Sequence, residues 1–110
     1  MNVEELRDHV LQKPDVTEGF PFGEDTLVFK VKNKVFLLLA LDESPLQFNV
    51  KCDPDRAIEL RDEFPDAVLP GYHMNKKHWN TIMVEGSLSK KQLKEMIDHS
   101  YALVAKLKPS

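Results

Sequence analysis

The stretch "TLVFKVKNKVFLLLAL", Thr26 to Leu41, decides the fold. Leu27, Phe29 and Val31 alternate with Thr26, Lys30 and Lys32, the period-two pattern of a strand with one wet face. Lys32-Asn33-Lys34 interrupts that pattern, and Asn33 tolerates the positive φ of a tight turn. Val35 to Leu41 is then apolar at every position, so it is expected to be a central strand covered on both faces. Strands joined by so short a turn run antiparallel.

Reading outward, Asp42 to Pro45 is a second turn. Leu46 to Cys52 alternates again, with Leu46, Phe48, Val50 and Cys52 inward and Gln47, Asn49 and Lys51 outward. "DPDRAIELRDEF", Asp53 to Phe64, predicts a helix capped by Asp53 with Pro54 at its first position. Its apolar side would be Ala57, Ile58 and Leu60, and Pro65 stops it. A turn-rich connection around Pro70-Gly71 leads to a strand over Trp79–Glu85. Ser89 and Gln92 then form a capping box, with Leu88 and Leu93 as a hydrophobic staple. The last helix carries a stripe of Leu93, Met96, Ile97, Tyr101, Val104 and Leu107. At the other terminus, Asn2 caps a helix over Val3–Gln12 with Glu5 completing a capping box. Lys13 to Asp25 reads as a loop pinned by the rings of Phe20 and Phe22.

The order is α-β-β-β-α-(β)-β-α. It predicts an α+β fold, a two-layer sandwich with an antiparallel sheet and helices packed on one face. At 110 residues, one domain spanning 1–110 is expected. The longest apolar run, Val35 to Leu41, is far short of the ~20 residues of a membrane span. With acids at Glu4, Glu5 and Asp8 and no signal-like apolar stretch, a cytoplasmic protein without membrane attachment is expected. The lone Cys52 fits a reducing compartment and reads as inert packing on the inward face.

The net charge of −3 conceals an asymmetry. Residues 1–66 hold 8 Lys and Arg against 15 Asp and Glu, a balance of −7; residues 67–110 hold 7 Lys against 3 acids, a balance of +4. No acid lies between Asp66 and Glu85, so a local positive field can survive there. Metal binding is not expected: His73 and His78 diverge on a strand and are badly offset on a helix, and His9 and His99 fall on separate helices. There is no Gly-rich phosphate loop and no nucleophile elbow, so neither catalysis nor a cofactor is expected.

That leaves "GYHMNKKHWN", Gly71 to Asn80. Lys76 and Lys77 suit phosphates, Asn75 and Asn80 donate or accept, and Tyr72, His73, His78 and Trp79 can stack on bases. The same residues also read as a turn, a strand start and solvated lysines.

Taken together, "PFG" (Pro21–Gly23), "LVFKV", "KVFLL", "VKCDP" (Val50–Pro54), "PGYHMNKKHWNT" (Pro70–Thr81) and "SYALV" (Ser100–Val104) resemble the MmcQ/YjbR family of small bacterial proteins. The resemblance implies a frataxin-like or secretion-chaperone-like domain, also described as a double-wing DNA-binding fold, with no established catalytic activity. It implies a functional surface of Lys51, His73, Asn75, Lys76, Lys77, His78 and Trp79, with Lys30, Lys32 and Lys34 as auxiliary wing contacts. Two readings follow: a noncatalytic domain, acting as a monomer, that binds DNA or another nucleic acid, or a protein-interaction module anchored on Tyr72, Met74 and Trp79.

Overall fold

The structure is a computed structural model that describes residues 1–71 and 74–106. Its elements, in order, are α1 (Val3–Leu11), β1 (Val16–Gly19), β2 (Thr26–Val31), β3 (Lys34–Ala40), β4 (Gln47–Lys51), α2 (Pro54–Glu63), β5 (Val68–Pro70), β6 (Trp79–Met83) and α3 (Lys90–Ala105). The strands form one six-stranded antiparallel sheet in the order β1-β2-β3-β4-β6-β5. The helices cover one face of this α+β sandwich.

Register explains which side chains the helices meet. Phe29 lies across from Leu37, Leu37 from Val50, Leu39 from Phe48, and Phe48 from Ile82. Cross-strand partners share a face, so these residues make one apolar surface, and all of them are buried. The α3 stripe of Leu93, Ile97, Tyr101 and Val104 is buried against it; Leu107 lies outside the described residues. The Ser89–Gln92 capping box is formed in both directions. At the far end of α3, Lys106 adopts φ 58°, and Lys32 Nζ donates to the Ala105 carbonyl at 2.7 Å, placing a cation where the helix dipole is negative.

The centre of the sheet is irregular. Phe29 pairs with Leu37 but Lys30 pairs with Val35, so Phe36 is an extra residue without a partner on β2. On its other side, the fully buried Ser100 hydroxyl donates to the Phe36 carbonyl and accepts from the Lys51 N–H at 2.9 Å. A helix side chain thereby supplies the two partners that the interrupted ladder cannot. The bulge turns the Phe36 ring inward, edge-on to Tyr101 with centroids 5.5 Å apart.

Several sequence expectations are corrected. The supposed loop Lys13–Asp25 contains β1, which pairs Val16 with Val31 and Gly19 with Val28. Its mostly polar residues hid it, because an edge strand needs only backbone pairing and one half-buried Val16; Glu18 is held by Arg7, with Nε to Oε2 at 2.8 Å. Phe20 and Phe22 do not pin that segment, being 51% and 71% exposed. On α2, Ile58 is 62% exposed, since only Ala57 and Leu60 lie on the covered side. Lys32 belongs to the turn rather than to β2: Lys32 (φ 53°) and Asn33 (φ 64°) together make a two-residue hairpin connection of the type I′ kind. Asn2 caps α1 through the Glu5 N–H at 2.8 Å, and the Glu5 carboxylate also reaches Lys90 at 2.6 Å.

The contrast between two isoleucines checks this packing. Ile97→Ala is expected to cost ~2–5 kcal/mol through lost burial and a cavity. Ile58→Ala is expected to stay within about 0.5 kcal/mol. Urea unfolding of the two variants measures both.

Candidate functional site

The fold sorts charge along the strand axis. Since Thr26, Ala40, Gln47 and Met83 align across the sheet, the connections at that end carry Glu24, Asp25, Asp42, Glu43, Asp66 and Glu85, all exposed. The opposite end gathers Lys30, Lys32, Lys34 and Lys51 from the strand ends and the hairpin, and Lys76 and Lys77 from the turn before β6. Asp15, Asp53 and Asp55 are acids there, and Asp53 is occupied as the α2 cap, accepting from the Asp55 and Arg56 N–H groups. In the sequence this asymmetry is N-terminal against C-terminal; in the fold it is one end of the sheet against the other.

Lys51 is the register partner of Trp79, and Val50 that of Asn80. Asn80 faces the helices, where Arg61 meets it, so Lys51 and Trp79 leave the sheet on the open face. Lys30 shares that face by alternation with Phe29. Beside them Thr81 Oγ donates to Asn49 Oδ1 at 2.6 Å. Asn75 is a turn former: its side chain accepts from the Lys77 N–H at 3.0 Å, and its carbonyl accepts from His78 and Trp79, each at 3.0 Å. His78 is half-buried, and its carbonyl accepts from the Cys52 N–H at 2.7 Å, extending the β4–β6 ladder. Lys77 is exposed, Lys76 is exposed, and Met74 and Trp79 are half-buried. Tyr72 and His73 lie outside the described residues.

Arg61 organises this segment. Its Nη2 donates to the carbonyls of Lys76 and of Trp79 (3.1 Å for the latter), while Nε donates to Asn80 Oδ1 at 2.7 Å. One rigid fork thus ties the basic turn to α2. Gly71 secures the other side: a Cβ there would sit 3.0 Å from Trp79 Cβ, and its N–H donates to the Trp79 carbonyl at 2.9 Å. Arg61 was absent from the sequence reading. Its only signal there was an arginine on the polar side of an amphipathic helix, which is ordinarily solvated.

Two titratable groups lie under the helices. Burial, and secondarily Asp53, pushes the Cys52 thiol up to about 11. His99 Nε2 accepts from the Asp53 N–H at 3.2 Å, and burial lowers its pKa below the ordinary 6.5. Among the described residues, no three His, Cys, Asp or Glu side chains converge as a metal site. Nor is any described helix long and apolar enough to cross a membrane.

The sequence profile of the YjbR family matches residues 11–103. The chain belongs to the YjbR family. It is similar to the Escherichia coli O157:H7 protein YbdF, 35% identical over 94 residues that span 86% of this chain and 76% of YbdF. YjbR of Escherichia coli strain K12 is 29% identical over 109 residues, 99% of this chain and 92% of that protein. Among solved structures, a Deinococcus radiodurans protein superposes with a TM-score of 0.91 at 39% identity, over 99% of this chain and 82% of its own. A Pseudomonas syringae crystal structure gives 0.79 at 26% identity, over 94% and 99%. Family and fold agree; the names of these relatives state no activity.

Three outcomes follow from the site geometry. Arg61→Met keeps the aliphatic stem and strands Asn80 Oδ1, so it is expected to cost about 1–3 kcal/mol and to speed amide exchange at His78 and Trp79. Cys52, protonated at neutral pH and buried, is expected to react with iodoacetamide far more slowly in the native than in the unfolded chain. A proton on His99 Nε2 ends its bond from Asp53, so the unfolded chain protonates first as pH falls. The contribution of neutral His99 is therefore complete above about pH 6.5 and declines below it. Denaturation of the parent and of His99→Gln across that range is expected to show a shallower acid-side loss in the variant.

Proposed function

We propose that this protein is a noncatalytic nucleic-acid-binding domain whose ligand is duplex DNA, held by the basic end of its sheet. The observation that carries the reading is the separation of charge along the strands. A strand of this length spans ~20 Å, more than two Debye lengths of ~8 Å at physiological salt. Repulsion between phosphates and the acidic end is therefore largely screened, and the net charge of −3 does not oppose contact at the lysine end. Neighbouring strands lie ~4.8 Å apart, which sets Lys34, Lys51 and the Lys76–Lys77 turn within reach of several successive phosphates.

In this reading the β2–β3 hairpin is a wing. Its short turn carries Lys32 and Asn33, with Lys30 and Lys34 flanking. Lys32 already holds the end of α3 and contributes mainly field, whereas Lys34 is exposed. Lys77 serves the backbone from the second element, Trp79 and His78 offer rings, and Asn75 fixes their turn. His73 belongs to the same proposed surface. The protein-interaction reading is supported by Trp79 and Met74, both half-buried, with Trp79 on the open face beside Lys51.

Fluorescence anisotropy against duplex and single-stranded DNA at two salt concentrations tests the proposal. Lys34→Ala and Lys77→Ala are each expected to weaken binding across sequences and to lower the salt slope by about one unit. Thermal stability is expected to stay within about 0.5 kcal/mol. Absence of parent binding at low salt, or unchanged affinity in both variants, overturns the proposal. A salt-insensitive protein complex lost in Trp79→Ala then carries the other reading.

A further inference from the structure

The fold leaves two phenyl rings in water among unpaired acids. Phe20 is 51% exposed, Phe22 71% and Leu41 39%. Scattered apolar side chains on a surface are ordinary, whereas a group of them held together marks a contact surface. The backbone holds these together. The Gly23 N–H donates to the Phe20 carbonyl at 3.3 Å, closing a turn with Pro21 at its second position. Gly23 follows at φ 117°, a value that favours glycine. The Leu41 N–H then donates to the Asp25 carbonyl at 2.8 Å, which fastens this segment to the connection between β3 and β4. Both rings thus stand on a fixed turn beside the connection that carries Leu41, and a partner has little ordering left to impose.

Charge selects that partner. Residues 19–29 and 35–50 contain no Lys, Arg or His, and the two connections expose Glu24, Asp25, Asp42 and Glu43. Among the described residues, Glu24, Asp25 and Asp42 enter no ion pair. Glu43 meets only the Gln47 amide, at 3.5 Å. A nucleic acid or an anionic bilayer is repelled by such a surface, and a small cation would leave the rings uncovered. A second copy of this chain offers lysines only at the far end of its sheet, and that head-to-tail contact does not close. An arginine side chain answers both features at once. Its guanidinium stacks on a phenyl face and pairs with carboxylates through a planar fork.

We propose that this end of the sheet docks a partner protein through a basic segment in which arginines alternate with apolar side chains. The surface lies at the opposite end of the strands from the lysines and does not rest on DNA binding. NMR titration of the full chain tests it, with an acetylated, amidated heptapeptide of alternating Arg and Leu as the probe. The same peptide with Ser for Leu, and with Glu for Arg, supplies the comparisons. The Arg–Leu peptide is expected to shift the backbone amides of Phe20, Phe22, Gly23, Asp25 and Leu41. The Arg–Ser peptide is expected to bind about tenfold more weakly, and the Glu–Leu peptide not at all.

Phe22→Ala is expected to weaken the Arg–Leu peptide about tenfold while leaving the urea midpoint unchanged, because that ring is mostly in water; Phe20→Ala replaces it should the first not fold. Glu24→Gln combined with Asp42→Asn is expected to weaken binding and to flatten its salt dependence. Lys34→Ala and Lys77→Ala are expected to leave it unchanged. No saturable shift at millimolar peptide, shifts mapping elsewhere, equal binding of the Arg–Ser peptide, or full affinity in Phe22→Ala each overturns the assignment. So does binding to phosphatidylcholine vesicles, or self-association in sedimentation, that Phe22→Ala abolishes, since the rings would then serve a bilayer or a second copy.

Discussion

The rest of the structure depends on the hydroxyl of Ser100. β3 carries one residue too many for its neighbours, and at Phe36 the backbone loses its cross-strand partners. Ser100 bridges the Phe36 carbonyl and the Lys51 N–H from the middle of α3. A buried, unpaired carbonyl and amide would each cost about 1–3 kcal/mol. One serine on the covered side of a helix satisfies both and fixes the helix against the sheet. The chain of contacts continues from there. Phe36 meets the edge of Tyr101, whose hydroxyl donates to the Pro14 carbonyl at 2.7 Å. Lys13 lies over the Tyr101 ring and pairs with Asp98, which also binds His9 at 2.7 Å. The end of α1 is thus fastened through a position chosen by a bulge.

A second anchor works on the other side of the covered face. Arg61 holds two carbonyls of the basic segment and one side-chain oxygen with a single planar group. Guanidinium suits this because it is always charged and presents its donors in a fixed fork. The same contact shapes two features. On one side it presents the Lys76–Lys77 turn at the lysine end of the sheet. On the other it fixes the buried Asn80 beneath α2.

Much of the fold was legible in particular residues. The alternation of Leu27, Phe29 and Val31, the wholly apolar Val35–Leu41 and the Ser89–Gln92 capping box each report a local preference that the fold also satisfies. Agreement between local and global demands makes such segments readable. The failures are equally local. β1 carries one apolar residue, so its strand state comes from pairing with β2 and not from its own pattern. Ile58, Phe20 and Phe22 are apolar residues that the fold leaves in water, and hydrophobicity alone does not say which ring or branch will be covered. The candidate surface was readable as residue types in the stretch Gly71–Asn80. Its geometry was not, since Lys34 and Lys51 join Lys77 only through strand order and register.

By itself the sequence determined the element types other than β1, the antiparallel hairpins, the inward set Leu46–Cys52, and the family that the chain belongs to. These follow from periodicities of two and 3.6 and from residues that cap or turn the chain within a few positions. The tertiary structure alone decided the bulge at Phe36, the bridging by Ser100, the clamp of Arg61 and the burial of Asn80. It also decided that the strand connections would carry mostly acids at one end of the sheet and mostly lysines at the other. The physical reason is range. Each of these features joins residues that are distant in sequence, and a hydrogen bond or a field between them exists only after the strands have fixed where each side chain stands.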